Sequence, residues 1–336
     1  MDSVTQIALG SAVAVAVVGR RMPPWKSAIW GAVFGTLPDL DVMVSFGDAI
    51  QNMTRHRAET HAFAYQTLAA FVLAGFARTI HGKAVGYWRW LVALWLVLVT
   101  HSFIDFMTVY GTKLALPWSD YPFGVGSIYI IDPLYTLPLI IGLVACLKSK
   151  SPRRWTWNAL GLAVSSLYMG WTVYAQSHVT EIARKNLPQA AEVENILVTP
   201  APLNSILWRI LVMTPQHYYE GWYSLLDNEP TIEWAQFDRG HELIQSHRNH
   251  PGVEEVSKFS HGFYRMHEKQ GDIFVTDLRM GFEPNYTFDF NLGSVDEQNQ
   301  LDPDRPTLRE GASPPISALG WLGRRIMGQR ERQPGG

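Results

Sequence analysis

A single cysteine, Cys146, stands among the 336 residues, so no disulfide can form within the chain. It lies inside an apolar run, and a thiol mechanism is not expected. Charge is sparse as well. Asp, Glu, Lys and Arg make up 17% of the chain, and the net charge is −2. Nucleic acid requires a concentrated basic face, and none can be drawn here. The opening MDSVTQ lacks the basic stretch of a signal peptide, so no cleaved leader is expected.

What the first half has instead is long apolar runs. Six read as membrane segments, at residues 5–18, 25–46, 62–78, 88–107, 128–147 and 155–176. About 20 apolar residues cross a bilayer as a helix. The fifth and sixth runs meet that easily. The first is short, and the second to fourth reach it only by taking in polar residues at one end. Six such runs with so few interior charges argue against a buried soluble core. The expected architecture over residues 1–176 is a mainly α, polytopic membrane helix bundle of about six helices.

Charge is divided at the same place. Residues 1–176 carry 13 Lys+Arg against 8 Asp+Glu, and the remainder carries 15 against 22. Arg20, Arg21, Lys26, Arg78, Lys83, Arg89, Lys148, Lys150, Arg153 and Arg154 fall between alternate segments, on one expected side. Arg55, Arg57 and Lys113 are the basic residues of the other side. By the positive-inside rule the ten basic residues are cytoplasmic. The N-terminus and the C-terminal part are then extracytoplasmic. All eight carboxylates of this half, from Asp2 to Asp132, fall at the expected outer ends or loops. Acids at a membrane edge are costly unless they are paired or bind cations.

Histidines join those acids. His101 and Asp105, in THSFID, are four apart on an apolar helix and so share a face. Asp39 and Asp41 follow Pro38 in PDLD. His56 and His61 flank the short loop TRHRAETH. Imidazole and carboxylate are the usual ligands of zinc and similar ions. Each residue also has an ordinary structural explanation. A histidine at a membrane edge is commonly just hydrogen-bonded, and Asp after Pro commonly starts a turn. Three histidines and three aspartates at one expected end favour a shared divalent-metal site, with Asp39, Asp41, His56, His61, His101 and Asp105 as its candidate ligands.

The order DSVTQIALGSAV, GAVFGTLPDLDV, RHRAETHAF, THSFIDFMTVYGT and YPFGVGSIYIIDPLYTLPL resembles the membrane-bound metal-dependent hydrolase family, also labelled a LexA-binding, inner-membrane-associated hydrolase family. The likeness covers nearly all of residues 1–145. It extends more loosely into APLNSILWRILVMTPQHYYEGWYSLLD, which is similar to the extracytoplasmic domain of a long-chain subgroup. The resemblance implies a bacterial inner (plasma) membrane, and points to the same six ligands together with Arg57, with Asp2 and Asp132 as weaker counterparts. It implies zinc, with manganese or iron as alternatives. Two departures are visible. Many members open with Asp-x-x-Thr-His, whereas Gln6 follows Thr5 here. Glu59 is an extra carboxylate in the loop. The family is also distantly similar to zinc-dependent phospholipase C and single-strand nucleases.

These residue types fit metal-assisted hydrolysis. A bound ion acidifies a water. Asp41 or Asp105 would act as general base. Arg57 would clamp an anionic group, since guanidinium matches phosphate oxygens, or would instead pair with Asp39 or Glu59. A site at the membrane boundary favours a lipid-linked ester or phosphoester as substrate. The rival readings are an ion-coupled or metal transporter, since buried Asp and His also mark ion pathways, and a non-catalytic metal-binding protein.

Beyond residue 176 the pattern changes. Residues 177–190 read as a helical continuation. NILVTPAP, SILWRILVMT, HYYEGWYSLL, GFYRMHEK, DIFVTDLRM and NYTFDFNL read as strands, and FDRGHELIQSHRN as a helix. An α+β, mainly antiparallel-sheet soluble domain is expected over 177–293. A polar, disordered tail is expected over 294–336, in which ISALGWLGRRIMG forms an interfacial helix or nothing. His241, His247 and His250 lie near one another, but solvated or hydrogen-bonded roles are favoured over a second metal site.

Overall fold

The Asp2 side chain accepts from the backbone N–H groups of Val4 and Thr5 and so begins α1 (Ser3–Val18). The computed structural model describes residues 1–189, 192–294, 301, 306–309 and 316–331. Further helices follow: α2 (Pro24–Thr36), α3 (Ala49–Arg55), α4 (Phe63–His81), α5 (Tyr87–Phe106), α6 (Pro133–Lys148) and α7 (Arg154–Lys185). The chain folds as two units. The first comprises Met1–Val44, His56–Tyr174 and Pro202–Asn204; the second comprises Ser45–Arg55, Ala175–Ala201 and the residues from Ser205 on.

In the first unit α1 is central and packs on α2, α5 and α6. Its residues are small and apolar, and Ala8, Ala12, Ala14, Val15 and Val18 are all buried. On α5 the buried positions Trp90, Ala93, Leu94, Val97, Leu98 and His101 recur at helical spacing and face this core. The hairpin of α4 and α5 returns the end of α5 to the start of α4. That return places one end of each helix beside the 3-10 turn Glu59–His61, which packs on the 3-10 turn Pro38–Met43 that follows α2.

Among the described residues two helices are long and apolar enough to cross a membrane, α4 with 19 residues and α5 with 20. Leu68 and Val72 on α4 are 65% and 73% exposed. A soluble core helix would bury such side chains. The expected six membrane helices are thus not all supported. α1 and α6 have 16 residues each and α2 has 13. Sixteen residues rise about 24 Å, short of about 30 Å of hydrocarbon. α7 has the length, with 32 residues, but lacks the apolarity.

Among the described residues the second unit is built on two four-stranded antiparallel sheets. The first, in the order β1-β2-β3-β4, contains β1 (Asn195–Pro200), β2 (Leu207–Met213), β3 (His217–Ser224) and β4 (Trp234–Asp238). The second, in the order β5-β6-β7-β8, contains β5 (Tyr264–Lys269), β6 (Asp272–Phe282), β7 (Asn285–Ser294) and β8 (Thr307–Leu308). Between the sheets in sequence lie α8 (His241–His247) and α9 (Pro251–Phe259). Every residue of β2 is buried. Trp208, Ile210 and Val212 meet Ala175, Val179 and Ala183 of α7, while Leu211 and Met213 meet Leu278 and Tyr286 of the second sheet's strands. The period-two alternation of a strand distributes them so.

The strands β4 and β8 and the helix α9 were not expected. β8 lies in the Pro-rich stretch expected to be disordered, where Thr307 and Leu308 pair with Asn291 and Phe290. Residues 295–300, 302–305, 310–315 and 332–336 of that expected tail lie outside the described residues. The last helix, α10 (Ile316–Ile326), packs Trp321 edge-on against Trp222 at 5.1 Å between ring centroids. Its apolar face is therefore used within this unit.

Candidate metal centre

His101 sits in the last turns of α5, 1% exposed, with Asp105 one turn further on and fully buried. The His101 Nδ1 donates to the carbonyl of Gly35 at 2.6 Å. A carbonyl only accepts, so Nδ1 holds the ring proton and Nε2 presents a lone pair. His61 is held in the same sense. The Thr60 hydroxyl donates its one proton to Asp41 Oδ2 at 2.8 Å, and its oxygen lies 2.9 Å from His61 Nδ1. That nitrogen is therefore the donor, and His61 Nε2 also presents a lone pair.

The two Nε2 atoms face each other at 3.0 Å. Asp39 Oδ1 lies 3.4 Å from each of them. Asp105 Oδ2 lies 3.2 Å from that of His61 and 3.3 Å from that of His101. Both carboxylate oxygens are buried and have no hydrogen-bond partner. All four donor atoms lie within 4.8 Å of one another. Such a cluster could hold a cation. One proton between the rings would satisfy the nitrogens and leave both oxygens orphaned. One metal ion satisfies all four. A tetrahedral ion with ligand bonds of about 2.0–2.1 Å has ligand–ligand edges of about 3.3 Å. Five edges of this cluster measure 3.0–3.4 Å.

Asp105 offers Oδ2 because its other oxygen is taken. Oδ1 meets the Met1 amino group, Gln6 Nε2 at 3.3 Å and Arg57 Nη2 at 3.4 Å. Asp39 is the accessible member, its side chain 23% exposed, against 0–1% for the other three. It lies beyond the end of α2 and outside both candidate spans. Burial opposes its ionisation, while His101 and His61, when their rings carry a second proton, lower its carboxyl below the usual carboxylate range. Asp41 is lowered too: burial opposes ionisation, while His56, then His61, then the Arg57 backbone N–H favour it.

Asp41 and His56 are not among the four converging donors. Asp41 Oδ1 pairs with His56 Nδ1 at 2.7 Å, and Oδ2 accepts from Thr60 and from Arg57 N at 3.0 Å. The Asp41 carboxylate thus holds Thr60, which holds His61. Arg57 has a left-handed backbone, φ 63°, between His56 and the turn that carries His61. Its guanidinium, 5% exposed, points inward to Asp105 and Thr108 and lies over the Tyr110 ring at 4.8 Å. The pairing expected with Asp39 or Glu59 is replaced by one with Asp105, and Glu59 is exposed.

The profile of the YdjM inner membrane protein family matches residues 1–179. The chain belongs to the YdjM inner membrane protein family. All four converging donors of this YdjM-family chain lie inside the matched stretch. It is also 25% identical over 221 residues to YfhP, an uncharacterized protein of Bacillus subtilis (strain 168). That likeness spans 64% of the chain and 64% of the relative's length. No solved structure matches.

Thr60 and Gly35 were not singled out in the sequence. Gly35 closes the small-residue motif Gly31-x-x-x-Gly35 on α2, a readable signal of close helix approach. Thr60 carried no signal beyond its place next to His61. Outer partners that orient a ligating histidine typically contribute about 10–100-fold to metal affinity. Thr60→Val should therefore weaken zinc binding by that order with little change in stoichiometry, as a competition titration with a chromogenic chelator would show.

The weaker counterparts have other tasks. Asp2 caps α1, and Asp132 caps α6 while accepting from the Tyr168 hydroxyl at 2.8 Å. Among the described residues no second group of metal donors forms. His241 Nδ1 donates to Pro215 O and its Nε2 accepts from Gln245 Nε2, and His250 caps α9 by accepting from Gly252 N.

Proposed function

We propose that Asp39, His61, His101 and Asp105 hold one divalent metal ion, zinc before manganese or iron, and that this YdjM-family chain is a metal-dependent hydrolase acting on a lipid-linked ester or phosphoester. The observation that carries the metal reading is the convergence of two imidazole lone pairs and two orphaned carboxylate oxygens. A divalent ion there supplies Lewis-acid polarisation and an acidified water. Asp39, the accessible ligand, marks the side from which substrate approaches. Its second oxygen is available to take a proton from an attacking water. Asp41 serves as a positioning residue through Thr60 and His56. Arg57 neutralises Asp105 and lies near enough to the centre to favour an anionic substrate.

The same reading carries a topology. With ten basic residues at one end and three at the other, the metal end and the C-terminal unit face outward from the inner membrane, in a multi-pass chain whose second domain begins near residue 177. A substrate anchored in the outer leaflet reaches the centre laterally.

One observation favours a second reading. Four protein donors fill a tetrahedron, and structural zinc sites are closed in that way, whereas catalytic ones keep a position open. Zinc- or manganese-loaded protein in mixed micelles, offered a panel of phospholipids and lipid-linked phosphates, separates the two. Hydrolysis by the wild type and a loss of at least about a hundredfold in Asp105→Asn supports the hydrolase. Tight metal retention without turnover of any lipid supports the non-catalytic metal protein.

A further inference from the structure

At the opposite end of α5 from the metal cluster, a cavity of about 700 Å³ opens between the end of α1 and the starts of α5 and α7. It is lined by two arginines, Arg20 and Arg89, and by two tryptophans, Trp88 and Trp155. Among the described residues no carboxylate lies in salt-bridge range of either guanidinium. The first half of the chain has no acid in the segments that carry these residues, from Arg20 to Lys26, Arg78 to Arg89 and Lys148 to Arg154. Arg20 rests over the Trp155 ring at 5.9 Å. α5 begins at this cavity without a capping side chain, so its first N–H groups add positive potential there.

A third lining group is unsatisfied in the opposite sense. Asn158 is 2% exposed and lines the cavity. Its Nδ2 donates to Ala12 O at 2.9 Å, and its Oδ1 has no partner. A buried amide oxygen left unpaired calls for a donor such as a hydroxyl. The cavity therefore offers cationic donors for one anion and an acceptor for a hydroxyl. Its wall continues along α5 as apolar surface through Val92, 48% exposed.

We propose that this cavity binds one anionic phospholipid with a hydroxyl-bearing headgroup, of the phosphatidylglycerol class. The phosphate lies between Arg20 and Arg89, a headgroup hydroxyl donates to Asn158 Oδ1, and the acyl chains follow the apolar wall. The position argues for a lipid over a soluble anion. The cavity is at the end of a candidate membrane span, Trp88 is 71% exposed beside it, and Trp with Arg at that depth is the usual composition of a headgroup site. The assignment is independent of what the metal centre does.

The test is native mass spectrometry of the full chain in a neutral detergent, titrated with phosphatidylglycerol, phosphatidic acid, phosphatidylcholine and glycerol 3-phosphate. The expected result is one phosphatidylglycerol per chain, bound at least tenfold more tightly than phosphatidylcholine and more tightly than phosphatidic acid. Arg20→Gln/Arg89→Gln should lose that tenfold preference. Lys148→Gln/Lys150→Gln removes equal charge at the same end, where Leu147 packs near Trp155, and should retain it. Both arginines are exposed, so the double variant folds as the wild type does. The proposal is overturned if phosphatidylcholine binds equally, if the lysine variant loses as much as the arginine variant, or if glycerol 3-phosphate binds as tightly as the lipid.

Discussion

Full-length protein purified in detergent and reloaded with zinc should carry about one ion per chain, and His101→Ala should carry none, while His56→Ala keeps its ion. Plasma mass spectrometry after desalting reads all three directly. His101 supplies one of four donor atoms, and its Nε2 lies within 3.0–3.4 Å of the other three. Without it the remaining lone pairs no longer enclose an ion, and affinity should fall well beyond the about 10–100-fold that an outer partner contributes. His56 acts three hydrogen bonds away from His61, through Asp41 and Thr60, so its loss should cost affinity within that range and leave the ion in place at saturating zinc. Equal loss of metal from both variants would contradict the division between ligating and positioning residues. Absence of metal from the wild type at saturating zinc and manganese would mean that a proton occupies the cluster, as an imidazolium between two carboxylates.

That division marks where the sequence could be read and where it could not. The spacing of His101 and Asp105 on an apolar helix placed both on one face. The polar ends of α4 and α5 were likewise visible as departures from apolar runs. Which aspartate of PDLD turns inward was not visible. Both lie in a 3-10 turn, where successive side chains are about 120° apart, and one residue more or less reverses the assignment. The same holds for the loop of His56 and His61, whose directions depend on the left-handed backbone at Arg57. An arginine there is uncommon, and no residue-type signal announces it.

Membrane segments were over-read for a related reason. α1, α2 and α6 contribute to a core with one another and with α5, yet α2 and α6 also leave Ile29, Val33 and Ile141 exposed, so apolarity alone does not separate a core-forming helix from a lipid-facing one. Length does, and three of them are too short to span untilted. In the second half, β2 was legible as a continuous apolar run because both of its faces are covered. β4 was not, since its burial is mixed and Trp234 is the sole large residue before Phe237. β8 has only two residues and takes its conformation from β7.

Gly31→Ala should unfold the first unit at a markedly lower temperature than the wild type, and take the metal with it. A Cβ at Gly31 would stand 2.1 Å from the Gly10 carbonyl oxygen and 2.7 Å from the Ser11 Cα. These are backbone atoms of α1, so no side chain can swing away, and the two helices must part. Overpacking of a well-filled interior costs about 1–3 kcal/mol, and a backbone clash this close belongs at or above the upper end. The consequence reaches the metal because both helices touch it. Gly35 on α2 orients His101, and Gln6 on α1 donates to Asp105. Gly75, in the middle of α4, has nothing within 4 Å of its Cβ position. Gly75→Ala is therefore the matched control, with an unfolding temperature equal to or above that of the wild type because alanine is the better helix former. Tryptophan-fluorescence melts with metal content measured on the same samples give both readouts. If Gly31→Ala melts with the wild type, α1 and α2 are not in backbone contact. If it melts early but keeps its ion at wild-type affinity, the Gly35 carbonyl does not hold His101 in place.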